Sequence, residues 1–300
     1  TVVDRTIPDQ IIDFFPANPF LDLTGARPTS TIAVVIFATF IGLALLKLRR
    51  KQPDVATQLT KGFEWIYALV MEIVRMVLLL TPYGIFAMMT KTTATSNLDA
   101  ILQLGQFVLA SYVAILLMFG VHFLLLMVTG MSPVQFFKKS AETLLFAFTS
   151  RSSAGALPMN IHTQTEKLGV SHHVANLSAS LGLSIGQNGC AGIYPAMLAV
   201  MIAPTVGIDP FTPSFIFTLI AIVMISSFGV AGVGGGATFA AILVLSALDL
   251  PIALAGLLIS VEPLIDMGRT ALNVSGSMTA GVVTGKVMDE IDLEQYQSNE

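Results

Sequence analysis

The chain has 300 residues, 54% of them apolar and only 11% charged, with a net charge of −4 and a mean hydropathy of +0.78. Soluble globular domains carry about 25% charged residues, so the polar surface that water requires is missing and an integral-membrane class follows before any motif is read. The single cysteine, Cys190, excludes an internal disulfide framework. The four histidines form no HExxH and no Cys-paired pattern, so no metal site and no other cofactor is expected.

The first residues, Thr1-Val2-Val3-Asp4-Arg5-Thr6, contain neither Met nor a signal-peptide pattern, and a longer protein is expected. Residues 1–30, with Pro8, Pro16, Asn18-Pro19 and Pro28, read as a loop or interfacial segment. Thr31 to Leu48 is long enough for one spanning helix and runs into Lys47, Arg49, Arg50 and Lys51. A second span is predicted from Phe63 to Met89, with Glu72 and Arg75 as a structural pair one turn apart. A third runs from Ile101 to Val128 and is followed by Lys138 and Lys139. Its His122, the one histidine inside a span, reads as structural, whereas His172-His173 fall in a solvated link. The basic clusters put the loops near 47–61 and 138 on the cytoplasmic side.

Beyond residue 140 the apolar stretches are broken by Gly, Ser, Asn and Pro at 148–158, 184–195, 226–237 and 266–277. Irregular backbone at membrane depth is tolerated only when buried in protein or lining a cavity, and such breaks mark substrate sites in secondary transporters. The last segment carries Glu262, Asp266, Arg269 and Asn273 at offsets of four, seven and eleven. At roughly 100° per residue these share one wedge of about 60°, and Gly276 joins the same face. Each ionised group at a helix centre costs about 2.5–3.5 kcal/mol. The three charges must therefore face one another or an aqueous site. One reading is an internal ion-pair network that only ties helices together. The other is a zwitterion pocket, with Asp266 for an ammonium, Arg269 for a carboxylate and Asn273 offering amide donors. In Arg151-Ser152-Ser153-Ala154-Gly155, small side chains expose backbone N–H groups suited to an anion. The run Gly232-Val233-Gly234-Gly235-Gly236 can do the same and can hinge. Gln187 and Asn188, between Gly186 and Gly189, line a cavity or form an interhelical amide pair. Cys190 reads as a small packing residue.

These residues resemble the dicarboxylate/amino acid:cation symporters, the group of archaeal aspartate and mammalian glutamate transporters, and most nearly its bacterial L-cystine-uptake branch. The resemblance rests on Asn18-Pro19-Phe20, Thr81-Pro82-Tyr83-Gly84, Arg151 to Pro158, Gly229 to Gly236, and Asp266-Met267-Gly268-Arg269-Thr270 with Asn273-Val274-Ser275-Gly276. It spans essentially the whole chain. It implies an all-α membrane protein of the glutamate-transporter-like elevator fold with two re-entrant helical hairpins, the N-terminal spans lying outside this chain. The implied organisation is a loop at 1–30, trimerisation scaffold at 31–100 and transport domain at 101–290. Within the last are span 6, hairpin 1 at about 135–165, span 7 at about 173–204, hairpin 2 at about 213–250 and span 8 at about 252–288. Residues 291–300 form an acidic cytoplasmic tail.

The resemblance further implies a homotrimer in the bilayer of a bacterial cell (inner) membrane, an amino acid substrate and no nucleic-acid partner. Ser152, Ser153, Gln187, Cys190, Val233, Gly234, Asp266, Arg269, Thr270 and Asn273 are its substrate-binding residues. Arg269 pairs with a distal carboxylate and Glu262 steadies it. Gly229, Gly232, Gly234, Gly235 and Gly236 form the gate. Aspartate, glutamate and cystine all qualify as substrates, and L-cystine leads. Two departures bear on coupling: Asn188 and Ser277 stand where the family commonly has cation-site aspartates. Hard cations want anionic oxygens, so Na⁺ binding is expected to be weakened. Of H⁺ and Na⁺ as coupling ion, the proton or another weaker ion dependence is expected, with Glu262, Asp266, Asn188, Asn273 and Ser277 as coupling-ion candidates. An intramembrane hydrolase using Ser153 or Ser275 lacks a base within its span. A channel or purely structural subunit predicts no saturable uptake.

Overall fold

The computed structural model describes residues 12, 15–24, 26, 30–78, 83, 86–87, 90, 105–228, 236–252 and 261–298, and the structural statements that follow are of these. Contacts divide the chain into two units, 1–87 and 88–300.

In the first unit the segment expected as a loop holds a short helix, α1 (Pro19–Leu23). Asn18 caps it, its Oδ1 accepting the Phe20 and Leu21 N–H groups at 3.1 and 3.2 Å. The Asn-Pro pair, read as a turn, is thus an N-cap followed by proline in the first turn, where a missing N–H costs nothing. Helix α2 (Ser30–Lys51) ends on Arg49, Arg50 and Lys51, cations that complement the helix dipole. Helix α3 (Pro53–Leu78) begins well before the expected Phe63. Pro53 and Asp54 supply the start signals, but the first turns are too polar to be recognised by an apolar count. The Arg75 side chain of the expected Glu72–Arg75 pair lies outside the described residues, as do Thr81, Pro82 and Gly84.

In the second unit α4 (Gly105–Val128) is 24 residues long, about 36 Å. It exposes Leu109, Leu116, Leu117 and Leu124, a face that needs an apolar solvent. Helix α5 (Pro133–Ser150) reverses through Arg151, at φ 52°, into α6 (Ser153–His162) and one π-helical turn, Thr163–Lys167. Helix α7 (His172–Ser184) breaks, continues as a π-helical segment (Asn188–Ile193) and then as α8 (Tyr194–Ile202) with a 3₁₀ turn to Val206. Helices α9 (Pro213–Ser227) and α10 (Gly236–Ala247) follow. Helix α11 (Glu262–Val287) is the spine, packed on α4, α5, α6, α7 and the π segment. Gly-for-side-chain exchanges let it approach closely. A Cβ on Gly189 would lie 2.8 Å from the Arg269 carbonyl oxygen, and one on Gly281 would overlap the Gln164 amide. Gly105–Val128 and the run His172–Val206 are long and apolar enough to cross a bilayer.

Of the expected acidic tail, residues 291–298 are described, and they pack on the rest of the second unit. Residues 288–298 fold back as a strap ending in α12 (Leu293–Gln297). An isolated antiparallel bridge joins Val170 to Ile291. Tyr296 is 1% exposed among Phe136, Leu168 and Met278, and its hydroxyl donates to the Ser132 carbonyl at 2.9 Å. Lys139 Nζ donates to the Gln295 carbonyl (2.5 Å) and the Ser298 hydroxyl (2.9 Å). Burial pushes the Tyr296 phenol above its ordinary pKa.

Candidate substrate site

The site grows from the wedge on α11. Arg269 is 1% exposed, and one of its terminal nitrogens donates to Glu262 Oε1 at 3.2 Å and to Asp266 Oδ1 at 3.3 Å. Its guanidinium carbon lies 4.1 Å over the centre of the Tyr194 ring, a cation–π contact from the first residue of α8. Nε and the other terminal nitrogen are buried and have no partner among the described residues. An arginine carries five N–H donors in a fixed fork, so this one is half used, with donors left for a carboxylate. The Thr238 hydroxyl on α10 donates to Glu262 Oε1 at 3.3 Å, and Cys190 Sγ lies 3.9 Å from Asp266 Oδ1.

One turn on, Asn273 is a junction. Its Oδ1 accepts the Gly189 N–H at 2.7 Å, and its Nδ2 donates to Gln187 Oε1 at 2.8 Å and to Cys190 Sγ at 3.1 Å. Gln187 also accepts from Ser153 Oγ at 3.4 Å and donates to the Gly182 carbonyl at 2.9 Å. The break in the α7–α8 run is tolerated because the Gly189 N–H and the Gln187 side-chain oxygen find lateral partners on α11, while the Gln187 NH₂ group folds back onto α7. Ser152 caps α6, its Oγ accepting the Gly155 N–H at 3.0 Å, so one N–H of the anion-facing set is already spent. Thr270 is buried beside Arg269.

The structure therefore brings Ser153, Gln187, Cys190, Glu262, Asp266, Arg269 and Asn273 into one contact network. The remaining coupling-ion candidates, Ser277 and Asn188, have partners of their own. Ser277 Oγ accepts from Asn160 Nδ2 at 2.7 Å and donates to the Val274 carbonyl at 2.9 Å, while Asn188 packs against His122 and Gly276. A cavity of about 10 Å³, room for about one water, is lined by Ser153, Asn160, Gln187, Asn273 and Ser277. Among the described residues no three His, Cys, Asp or Glu side chains converge as a metal site. Gly229, Gly232, Val233, Gly234 and Gly235 lie outside the described residues; Gly236 opens α10. A second hollow, about 680 Å³, has apolar walls from Leu177, Leu181, Ile185 and Met224 and does not include Asp266 or Arg269.

Sequence reasoning missed Tyr194 and Asn160, and it singled out His122 as structural without its partners. Tyr194 follows the Gly-rich break and reads as core. Asn160 lies behind Pro158 on a short helix and meets Ser277 across 117 positions. His122 meets Asn188 and Ser275 across 66 and 153 positions. An intramembrane polar residue is costly unless partnered, and that is the signal that marks His122.

The profile of the Sodium:dicarboxylate symporter family matches residues 2–287. Among curated proteins the chain is 65% identical over 293 residues to the L-cystine uptake protein TcyP of Bacillus licheniformis, covering 98% of this chain and 63% of that protein. It is 62% identical over 300 residues to the TcyP of Bacillus anthracis (100% and 65%) and 64% identical over 291 residues to that of Shouchella clausii (97% and 62%). The chain thus spans 62–65% of the length of these relatives. With a matching profile over residues 2–287 and relatives 62–65% identical over nearly its whole length, the chain belongs to the sodium:dicarboxylate symporter family.

Proposed function

We propose that this chain forms the substrate-carrying part of a secondary active symporter that imports L-cystine across a bacterial cell membrane. The observation that carries the reading is Arg269, buried, held by Glu262 and Asp266, and left with unpartnered donors among the described residues. L-Cystine has an ammonium and a carboxylate at each end. One end would meet Asp266, Asn273 and the Ser152-Ser153 turn, and the distal carboxylate would lie in the free fork of Arg269. Relatives 62–65% identical are named for L-cystine uptake, which supports this substrate. Aspartate or glutamate is the second reading, since either also carries a distal carboxylate.

In the same reading residues 31–100 serve as scaffold in a homotrimer and 101–290 as a transport domain that moves as an elevator. The paired helices α5–α6 and α9–α10 are its re-entrant hairpins, residues 229–236 its gate, and the C-terminus is cytoplasmic. Protons drive uptake. Glu262 and Asp266 are the candidate carriers, because Asn188 and Ser277 offer only neutral groups. The test is uptake of radiolabelled L-cystine into proteoliposomes under separate proton and sodium gradients, with unlabelled cystine, aspartate and glutamate as competitors. Saturable uptake driven by an inward proton gradient and competed best by cystine is expected. Uptake driven by sodium and blind to protons would refute the coupling, and preference for aspartate would refute the substrate.

A further inference from the structure

We infer that His122 is a positioning residue for the substrate cradle: it pins the break between α7 and α8, and with it Gln187 and Gly189, to α4 and α11. His122 is 2% exposed within an apolar span. Its Nδ1 lies 3.1 Å from Ser275 Oγ and its Nε2 2.9 Å from Asn188 Nδ2. With the amide so oriented, Nε2 accepts from Asn188 and the Nδ1–H donates to the Ser275 oxygen. Asn188 Oδ1 is buried without a partner among the described residues. A flipped amide would offer that oxygen to an Nε2–H, so the tie holds in either ring tautomer.

Asn188 is held from its other side as well. It lies flat on Gly276, where a Cβ would come within 2.8 Å of Nδ2 and 3.1 Å of Oδ1. Its chain neighbours carry two of the three groups that Asn273 engages, the Gln187 amide and the Gly189 N–H, and the third, Cys190 Sγ, follows directly after Gly189. A shift of Asn188 therefore disturbs the partners of Asn273. The charged side chains of α11 on the cradle, Glu262, Asp266 and Arg269, bond to one another, and both polar partners of the ring are neutral. A buried polar ring in an apolar span is costly unless both nitrogens are satisfied. Here they are satisfied on two different elements, which an apolar side chain of the same size would leave untied.

The inference rests on the substrate reading above, and its test has one arm that does not. In proteoliposomes, His122→Ala should raise the KM for L-cystine about tenfold with maximal rate within about twofold of wild type, and His122→Gln should restore most of the affinity. Asn188→Ala should act like His122→Ala, and the double variant should be no worse than either single. Both single alanine variants should speed maleimide labelling of Cys190, the single cysteine of this chain, whose sulfur accepts from Asn273; His122→Gln should not. If His122→Ala cannot be recovered from membranes, Asn188→Ala and His122→Gln carry the same comparison. Unchanged KM and unchanged labelling would overturn the inference. A collapsed maximal rate at wild-type KM, or a flattened pH profile, would overturn it in favour of proton carriage by the ring. No cystine uptake by the wild type, with labelling responding as described, would refute the substrate reading and leave the role of His122 standing.

Discussion

Replacing Arg269 by alanine removes the group that the cradle is built around. Arg269 is 1% exposed and holds Glu262 and Asp266 at 3.2 and 3.3 Å, while those carboxylates are themselves only 18% and 17% exposed. Truncating one partner of a buried, hydrogen-bonded charge pair costs about 2–5 kcal/mol. For a substrate whose distal carboxylate pairs with Arg269, that is roughly a 30-fold to several-thousand-fold loss of apparent affinity. A small neutral amino acid such as serine never meets the fork and should lose far less, so selectivity shifts as well as strength. Lysine is no substitute, because a point charge cannot reproduce the fork or its stacking on Tyr194. The assay is the KM of radiolabelled L-cystine and of serine in proteoliposomes containing wild type or Arg269→Ala at equal protein density. Wild-type KM for cystine in the variant, or equal losses for both substrates, would refute the reasoning.

Asn273→Ala should leave the buried Gly189 N–H without its acceptor and remove the shorter of the two bonds to Gln187 Oε1, costing about 1–3 kcal/mol. The expected readouts are a weaker apparent affinity and a lower melting temperature in detergent. Gly281→Ala puts a methyl group into the Gln164 amide and near Ser178 Oγ. Overpacking of that kind costs about 1–3 kcal/mol or more, and the yield of monodisperse protein on size exclusion should fall sharply. Tyr296→Phe removes the bond to Ser132 and should cost about 0.5–1.5 kcal/mol, read as a lower melting temperature and faster proteolysis of the strap. Since burial raises the folded-state pKa of Tyr296, its contribution is complete below the unfolded value of about 10 and declines as pH rises above it. Wild type should therefore lose more stability than Tyr296→Phe between pH 9 and pH 11; parallel losses would contradict the buried phenol.

What could be read from the residues alone was what local periodicity and cost encode. Four polar side chains at helical spacing in an apolar segment must face one another or a solvated site, and Glu262, Asp266 and Arg269 are bonded together with Asn273 one turn on. The Gly-rich break read at 184–195 was equally legible, because glycines with Gln187 and Asn188 between them do not sustain a membrane helix without lateral partners. The start of α3 was not, since Pro53 and Asp54 open a helix whose first turns are polar. The strap was hidden by composition: an acidic end reads as solvated, and nothing local says that Tyr296 finds a hole beside Phe136. His122 stood out as the one histidine inside a span, but its partners were hidden by distance, lying 66 and 153 residues away.

A structure of the protein with L-cystine bound, and in it the distance from the distal carboxylate to Arg269, tests the central claim most directly. The account predicts that carboxylate within hydrogen-bond reach of the guanidinium nitrogens that have no partner among the described residues, with the near ammonium at Asp266. A ligand seated instead in the apolar hollow between Leu181 and Met224, away from Arg269, would contradict it.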